Sequence, residues 1–181
     1  MTVVFQLAVH RLPTGCQTGA MRTLEAVDLS FFSDAPVVIT NKVHIAAPRA
    51  RVFAEIAGDP AGWGRWFPGF DASGRYETPE PRGVGSVRTI RAFRTPYRET
   101  ILAWDENERW AFRVDEIGGP PTFAAFAEDY VVSDEGSGTQ LTWTAAFRPG
   151  PLMRPVKPLA PFVFRKMGER VAANLTRVTA A

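Results

Sequence analysis

Two acids stand where rings or aliphatics would be expected. Glu128 shares its alternation with Phe126, Tyr130 and Val132, and Glu99 shares its own with Tyr97 and Ile101. Residues of one parity on a strand face one side, so both acids are expected among apolar neighbours. A carboxylate in such surroundings has a raised pKa unless a cation pairs with it. Arg88 and Arg91, on the neighbouring run, are the cations at hand. Two readings fit. Glu128 and Glu99, with Tyr130 and Tyr97, form a polar anchor or a general acid/base for a mostly apolar ligand. Alternatively, the same groups make structural Glu–Arg or Glu–Tyr hydrogen bonds inside a core.

Other chemistries lack their residues. A single Cys, Cys16, excludes an intrachain disulfide and a cysteine metal cluster. Two His, His10 and His44, are too few for a histidine metal site. His44 sits between Val43 and Ile45 on an expected strand, where the exposed face suits it, and no nucleophile motif accompanies it. Gly83-Val84-Gly85 lacks the third Gly and the Lys of a phosphate loop and reads as a hairpin turn. Neither metal nor cofactor is expected. A net charge of +2 gives no field for nucleic acid. Its distribution is uneven: from Arg148 onward the segment carries +6 and the remainder −4. That basic segment complements the acidic body or faces an anionic ligand, partner or lipid headgroup.

The elements that must position these groups follow from periodicity. Val37–Ile45 is β-rich and reads as a strand. Ala47-Pro48 ends it, and a helix runs to about Ile56 with Val52, Phe53 and Ile56 on one side. Residues 61–70, with Trp63, Trp66, Phe67 and Phe70, read as a second short helix or turn packed with rings. Strand-like runs then follow as far as Phe147, divided at Gly83–Gly85, Thr95-Pro96, Asp105–Glu108, Gly118–Pro121 and Asp134–Gly138. Trp110, Phe112 and Val114 alternate with Arg109, Arg113 and Asp115, a half-buried pattern. The proline ramp Pro149–Pro161 is expected as turns and short helical pieces. Beyond it, Phe164, Met167, Val171, Leu175 and Val178 make one apolar stripe. The resulting helix, roughly 18 residues, is about 27 Å long. Only Gly168 weakens it.

The order is strand, two short helices, about five or six antiparallel strands and a long helix. An antiparallel sheet with one apolar face needs a cover, and the long helix is the large candidate. At 181 residues, with five Trp and thirteen Phe, a single domain with a deep interior or a pocket is expected. Residues 1–20 read as an extension that packs loosely or not at all, with 21–181 as the domain. Met21 offers a second start, and residues 21–36 form a leader with Phe31 and Phe32 as anchors. Pro13 and the missing basic start argue against Gly15-Cys16 as a lipoprotein cleavage site. No run reaches transmembrane length, and the absence of a credible signal peptide makes a cytoplasmic location the expectation. The oligomeric state is left open, with a homodimer among the options.

Local phrases carry a resemblance over about residues 37–179: "VHIAAPRARVFAEIAG", "WGRWFPGF", "GVGSVRTIR", "ILAWDENERWAFRV" and "FAEDYVV…GTQLTWTAAF". They resemble the START-related helix-grip superfamily (SRPBCC), in its polyketide cyclase/dehydrase-like branch. The resemblance implies an α+β helix-grip fold, an antiparallel sheet wrapped around the C-terminal helix, and one hydrophobic cavity between them. Its implied activity is binding, transport or sequestration of a lipid-like or polyketide-like molecule. An aromatase/cyclase or dehydratase using the cavity Glu and Tyr residues is the alternative, and a non-catalytic regulatory or stress-related interaction protein is another. The cavity would be lined by Trp66, Phe67, Arg91, Trp110, Phe112, Phe126, Glu128, Tyr130, Trp143, Phe164, Met167 and Val171.

Overall fold

The computed structural model describes residues 20–155 and 157–180. The expectation for residues 1–20 therefore lies, but for Ala20, outside the described residues, as do His10 and Cys16. The elements are β1 (Arg22–Thr23), α1 (Phe31–Asp34), β2 (Val37–Ile45), α2 (Arg49–Ala57), a 3₁₀ turn (Pro60–Arg65), β3 (Arg75–Tyr76), β4 (Val87–Ala92), β5 (Thr95–Asp105), β6 (Arg109–Ile117), β7 (Phe123–Glu135), β8 (Gly138–Pro149), a second 3₁₀ turn (Lys157–Leu159) and α3 (Ala160–Thr179). The strands form one antiparallel sheet in the order β2-β8-β7-β6-β5-β4-β3, with β1 added beside β6. Consecutive strands from β3 to β8 pair as hairpins, and β2 closes onto the last of them, between Val37↔Phe147 and Ile45↔Thr139. This is the α+β helix-grip arrangement.

One local feature departs from the sequence expectation. Thr95-Pro96 does not divide strands; both lie inside β5. The turn falls at Phe93-Arg94, with φ of 50° and 67°. A type I′ two-residue hairpin turn needs left-handed backbone at both positions, a geometry usually announced by Asn-Gly. The leader is anchored through Phe31, one of the two rings expected there. Leu24 is buried in the main core, and Phe31 covers Ala125, Ala127 and Ala146 on the outer face of the sheet. Small alanines on that face leave room for the ring.

The long helix crosses the inner face. Val171 and Leu175 are buried with Ile45, Trp143 and Val132, and the Phe164 ring stacks near Trp143 and Phe147. Gly168 has a specific role. A Cβ there would lie 3.1 Å from Asn41 Nδ2, while that same amide donates to the Phe164 carbonyl at 2.8 Å. The missing side chain lets β2 approach the helix and tie it down. Gly168→Ala gains up to about 1 kcal/mol of helix propensity but dislodges Asn41, and the net expectation in urea melts is a loss of about 1 kcal/mol. In an Asn41→Ala background the same substitution becomes stabilising, because only the propensity gain remains.

Candidate ligand cavity

Between the sheet and the first half of α3 lies a cavity of about 320 Å³. The hairpin strands supply its floor: Ile90 and Ala92 from β4, Tyr97 and Glu99 from β5, Phe112 and Val114 from β6, and Phe123, Phe126 and Glu128 from β7. Trp143 of β8 closes one side, Phe67 and Phe70 another, and Val163, Phe164 and Met167 of α3 form the roof. Phe93 and Val163 line the cavity yet stay 61% and 46% exposed, which marks its mouth. Phe93 is fixed there by its left-handed backbone, by its N–H bond to the Gly69 carbonyl at 2.7 Å, and by its ring lying over Gly69.

Three polar side chains reach this apolar space, and each has a distinct setting. Glu99 is 2% exposed and accepts from Arg88 Nε at 2.5 Å. Arg88 is fully buried, its guanidinium held between the rings of Trp63 and Trp110 at 4.3 and 4.4 Å, with Phe112 at 4.9 Å. Among the described residues its two terminal nitrogens have no hydrogen-bond partner; ring faces stand where acceptors would, a cation–π cage. Burial pushes the Glu99 carboxyl up from its ordinary range, and Arg88 pulls against that. Glu128 is 6% exposed and accepts from the Tyr130 hydroxyl at 2.5 Å. Burial raises its pKa to about 8; the Tyr130 bond opposes the rise and the Glu99 charge adds to it. The Trp143 indole N–H stands near enough to favour the ionised form without making a hydrogen bond of normal geometry. Tyr97 is pushed up to about 12 by burial and by the two carboxylates, so it remains a phenol.

Among the residues expected at the site, the structure brings Phe67, Tyr97, Glu99, Phe112, Phe126, Glu128, Trp143, Phe164 and Met167 onto one cavity. Tyr130 stands behind it, bonded to Glu128. Trp66 and Trp110 are fully buried in the core, and Val171, on the same stripe as Met167, packs there too. Arg91 points outward, half exposed, 4.0 Å from Asp71. The inward cation is Arg88, which shares its parity with Ile90 and Ala92; that shared parity was the signal that separates the two arginines. Phe123 escaped alternation for a physical reason: a register shift between Phe123 and Ala125 turns it to the same side as Phe126, three residues on. Met153 comes from the proline-rich approach to α3, where no periodicity operates, and Val163 from the first turn of α3, beside the stripe that Phe164 begins. His44 is exposed and bonded to Glu135 at 2.8 Å. Among the described residues there is no group of metal-ligating side chains, and no helix is long and apolar enough to cross a membrane.

Residues 36–180 match the family described as polyketide cyclase / dehydrase and lipid transport. An uncharacterized protein of Mycobacterium tuberculosis is 35% identical over 166 residues, covering 89% of this chain and 95% of its own. The fold is similar to a START superfamily protein from Mycobacterium smegmatis, with a TM-score of 0.62 at 14% identity, covering 78% of this chain and 99% of that one. It is similar as well to a Thermus thermophilus protein, with a TM-score of 0.58 at 19% identity, covering 79% and 99%. The match over residues 36–180 makes this chain a member of the family described as polyketide cyclase / dehydrase and lipid transport, and its sheet and gripping helix share the fold of the START superfamily protein.

Proposed function

We propose that the chain binds a hydrophobic, lipid-like or polyketide-like small molecule in the cavity under α3. The observation that carries this reading is the lining: rings and aliphatic side chains on every wall, a mouth at Phe93 and Val163, and a few convergent polar groups. Native mass spectrometry of protein taken gently from cells tests it directly, since a bound apolar molecule adds mass that denaturation removes.

Neighbouring turns of α3 provide a sharper test. Met167 lines the cavity, whereas Val171 is 1% exposed in the packed core. Met167→Trp is expected to fill the space, leave stability within about 1 kcal/mol of wild type and abolish uptake of a fluorescent apolar probe. Val171→Trp is expected to overpack the core and destabilise by about 1–3 kcal/mol or more. Equal destabilisation by the two, with probe uptake intact in Met167→Trp, removes the binding reading.

One observation favours a second reading, catalysis of the cyclisation or dehydration kind. Glu128, with a pKa of about 8, is poised to give and take a proton near neutrality. Turnover of an aromatic polyketide-type ketone that survives Glu128→Gln unchanged excludes it.

A further inference from the structure

We infer that the cavity selects neutral apolar molecules carrying a carbonyl oxygen, and that the carboxyl O–H of Glu128 is the donor that binds this oxygen. The inference rests on the cavity being a binding site and adds the chemical class of its ligand.

The cluster holds one cation and two acids. Among the described residues, the Arg88 side chain makes its one hydrogen bond to Glu99 and has ring faces on its remaining sides. Among the described residues, the Glu128 side chain touches no cation, and its only hydrogen-bond partner is the Tyr130 hydroxyl. Ionising both acids would leave one negative charge buried without a counter-ion, a state that costs far more than holding a proton. The acid paired with Arg88 is stabilised as a carboxylate, and the other keeps its proton. The direction of the Tyr130 bond then places that proton. With the phenol donating to Oε2, Oε1 is the oxygen free to carry the hydrogen, on a side chain that lines the cavity.

A hydrogen-bond donor in an otherwise apolar space discriminates by what it meets. A ketone or ester oxygen satisfies it. A hydrocarbon leaves it unpaired. A carboxylate meets the Glu99 charge and the second acid, with no cation among the described lining residues to neutralise it. The ionisable groups around Glu128 are Glu99 and Tyr97 on β5, Arg88 on β4 and Tyr130 on its own strand. Strands β6 and β8 and helix α3 present Phe112, Trp143, Phe164 and Met167. The raised pKa of Glu128 agrees with a proton held through neutral pH and released in mild alkali.

Three probes of nearly one shape make the test: acetylnaphthalene, ethylnaphthalene and naphthoate, titrated by displacement of a fluorescent apolar probe. At about pH 6 the ketone is expected to bind roughly three- to tenfold more tightly than the hydrocarbon, with naphthoate weakest. At about pH 9.5 the ketone's advantage is expected to vanish as Glu128 ionises. Glu128→Gln, whose amide N–H₂ replaces the O–H, keeps the advantage at both pH values. Glu128→Leu removes it. An infrared C=O band of a protonated carboxyl at neutral pH, absent in Glu128→Gln, reports the proton without any ligand. Equal affinity for ketone and hydrocarbon, or a missing infrared band, overturns the inference while the cavity reading stands. If none of the three displaces the probe, and Met167→Trp leaves probe binding unchanged, the cavity reading itself falls.

Discussion

Arg88→Met is expected to cost about 3–5 kcal/mol, because it strands the Glu99 carboxylate in the core. The native pair is fully buried at 2.5 Å, so solvent does not screen it. The loss should depend on pH with a definite sign. Burial already raises the Glu99 pKa, with Arg88 opposing; without the cation it rises further. A group whose folded pKa lies above its unfolded value stabilises the fold at low pH and loses that contribution as pH rises through the folded value. The difference between variant and wild type, taken at each pH, should therefore be smaller near about pH 5 than near pH 8. Arg88→Met with Glu99→Leu should recover most of the loss, since apolar replacement of both partners removes the unpaired charge. Urea midpoints for the two variants across this range decide the point, and a single variant as stable as wild type at every pH would contradict the buried pair's role.

Glu128→Gln should do the opposite and stabilise the protein in alkali. The Glu128 carboxyl has a pKa of about 8 against an ordinary 4.5. Below the ordinary value both folded and unfolded chains hold the proton, and burial of the neutral acid carries no charge penalty. As pH rises toward 8 the unfolded chain has released its proton and the folded one still holds it, so wild-type stability declines, by about 3–5 kcal/mol in all. Glutamine keeps an oxygen for the Tyr130 hydroxyl and has nothing to ionise. The variant's advantage should be near zero at about pH 5 and grow to about 3–5 kcal/mol by about pH 9. Thermal or urea melts at several pH values measure it; an offset that does not change with pH would place the proton elsewhere.

The same two acids show how far the chain can be read before it is folded. Strand alternation follows from local geometry, and it turned Glu99 and Glu128 inward with Tyr97 and Tyr130, as the structure has them. The 3.6-residue stripe likewise fixed the inner side of α3, and the element order was enough for the helix-grip architecture. Which cation meets which acid is not local. Arg88 faces Glu99 because β4 and β5 pair in that register, and its cage is completed by Trp63, from a 3₁₀ turn far along the chain. The Glu–Arg and Glu–Tyr hydrogen bonds expected as one reading of these acids are present, and both Glu99 and Glu128 line the cavity. The division between hollow and filled space is likewise tertiary. Trp110 and Phe112 are both buried in the core around Arg88 and Trp63, yet only Phe112 also lines the cavity. Met167 roofs the space while Val171, one turn on, is packed solid. Hydrophobic patterning specifies the side a residue faces; how much room is left on that side depends on the volumes every other element brings to it.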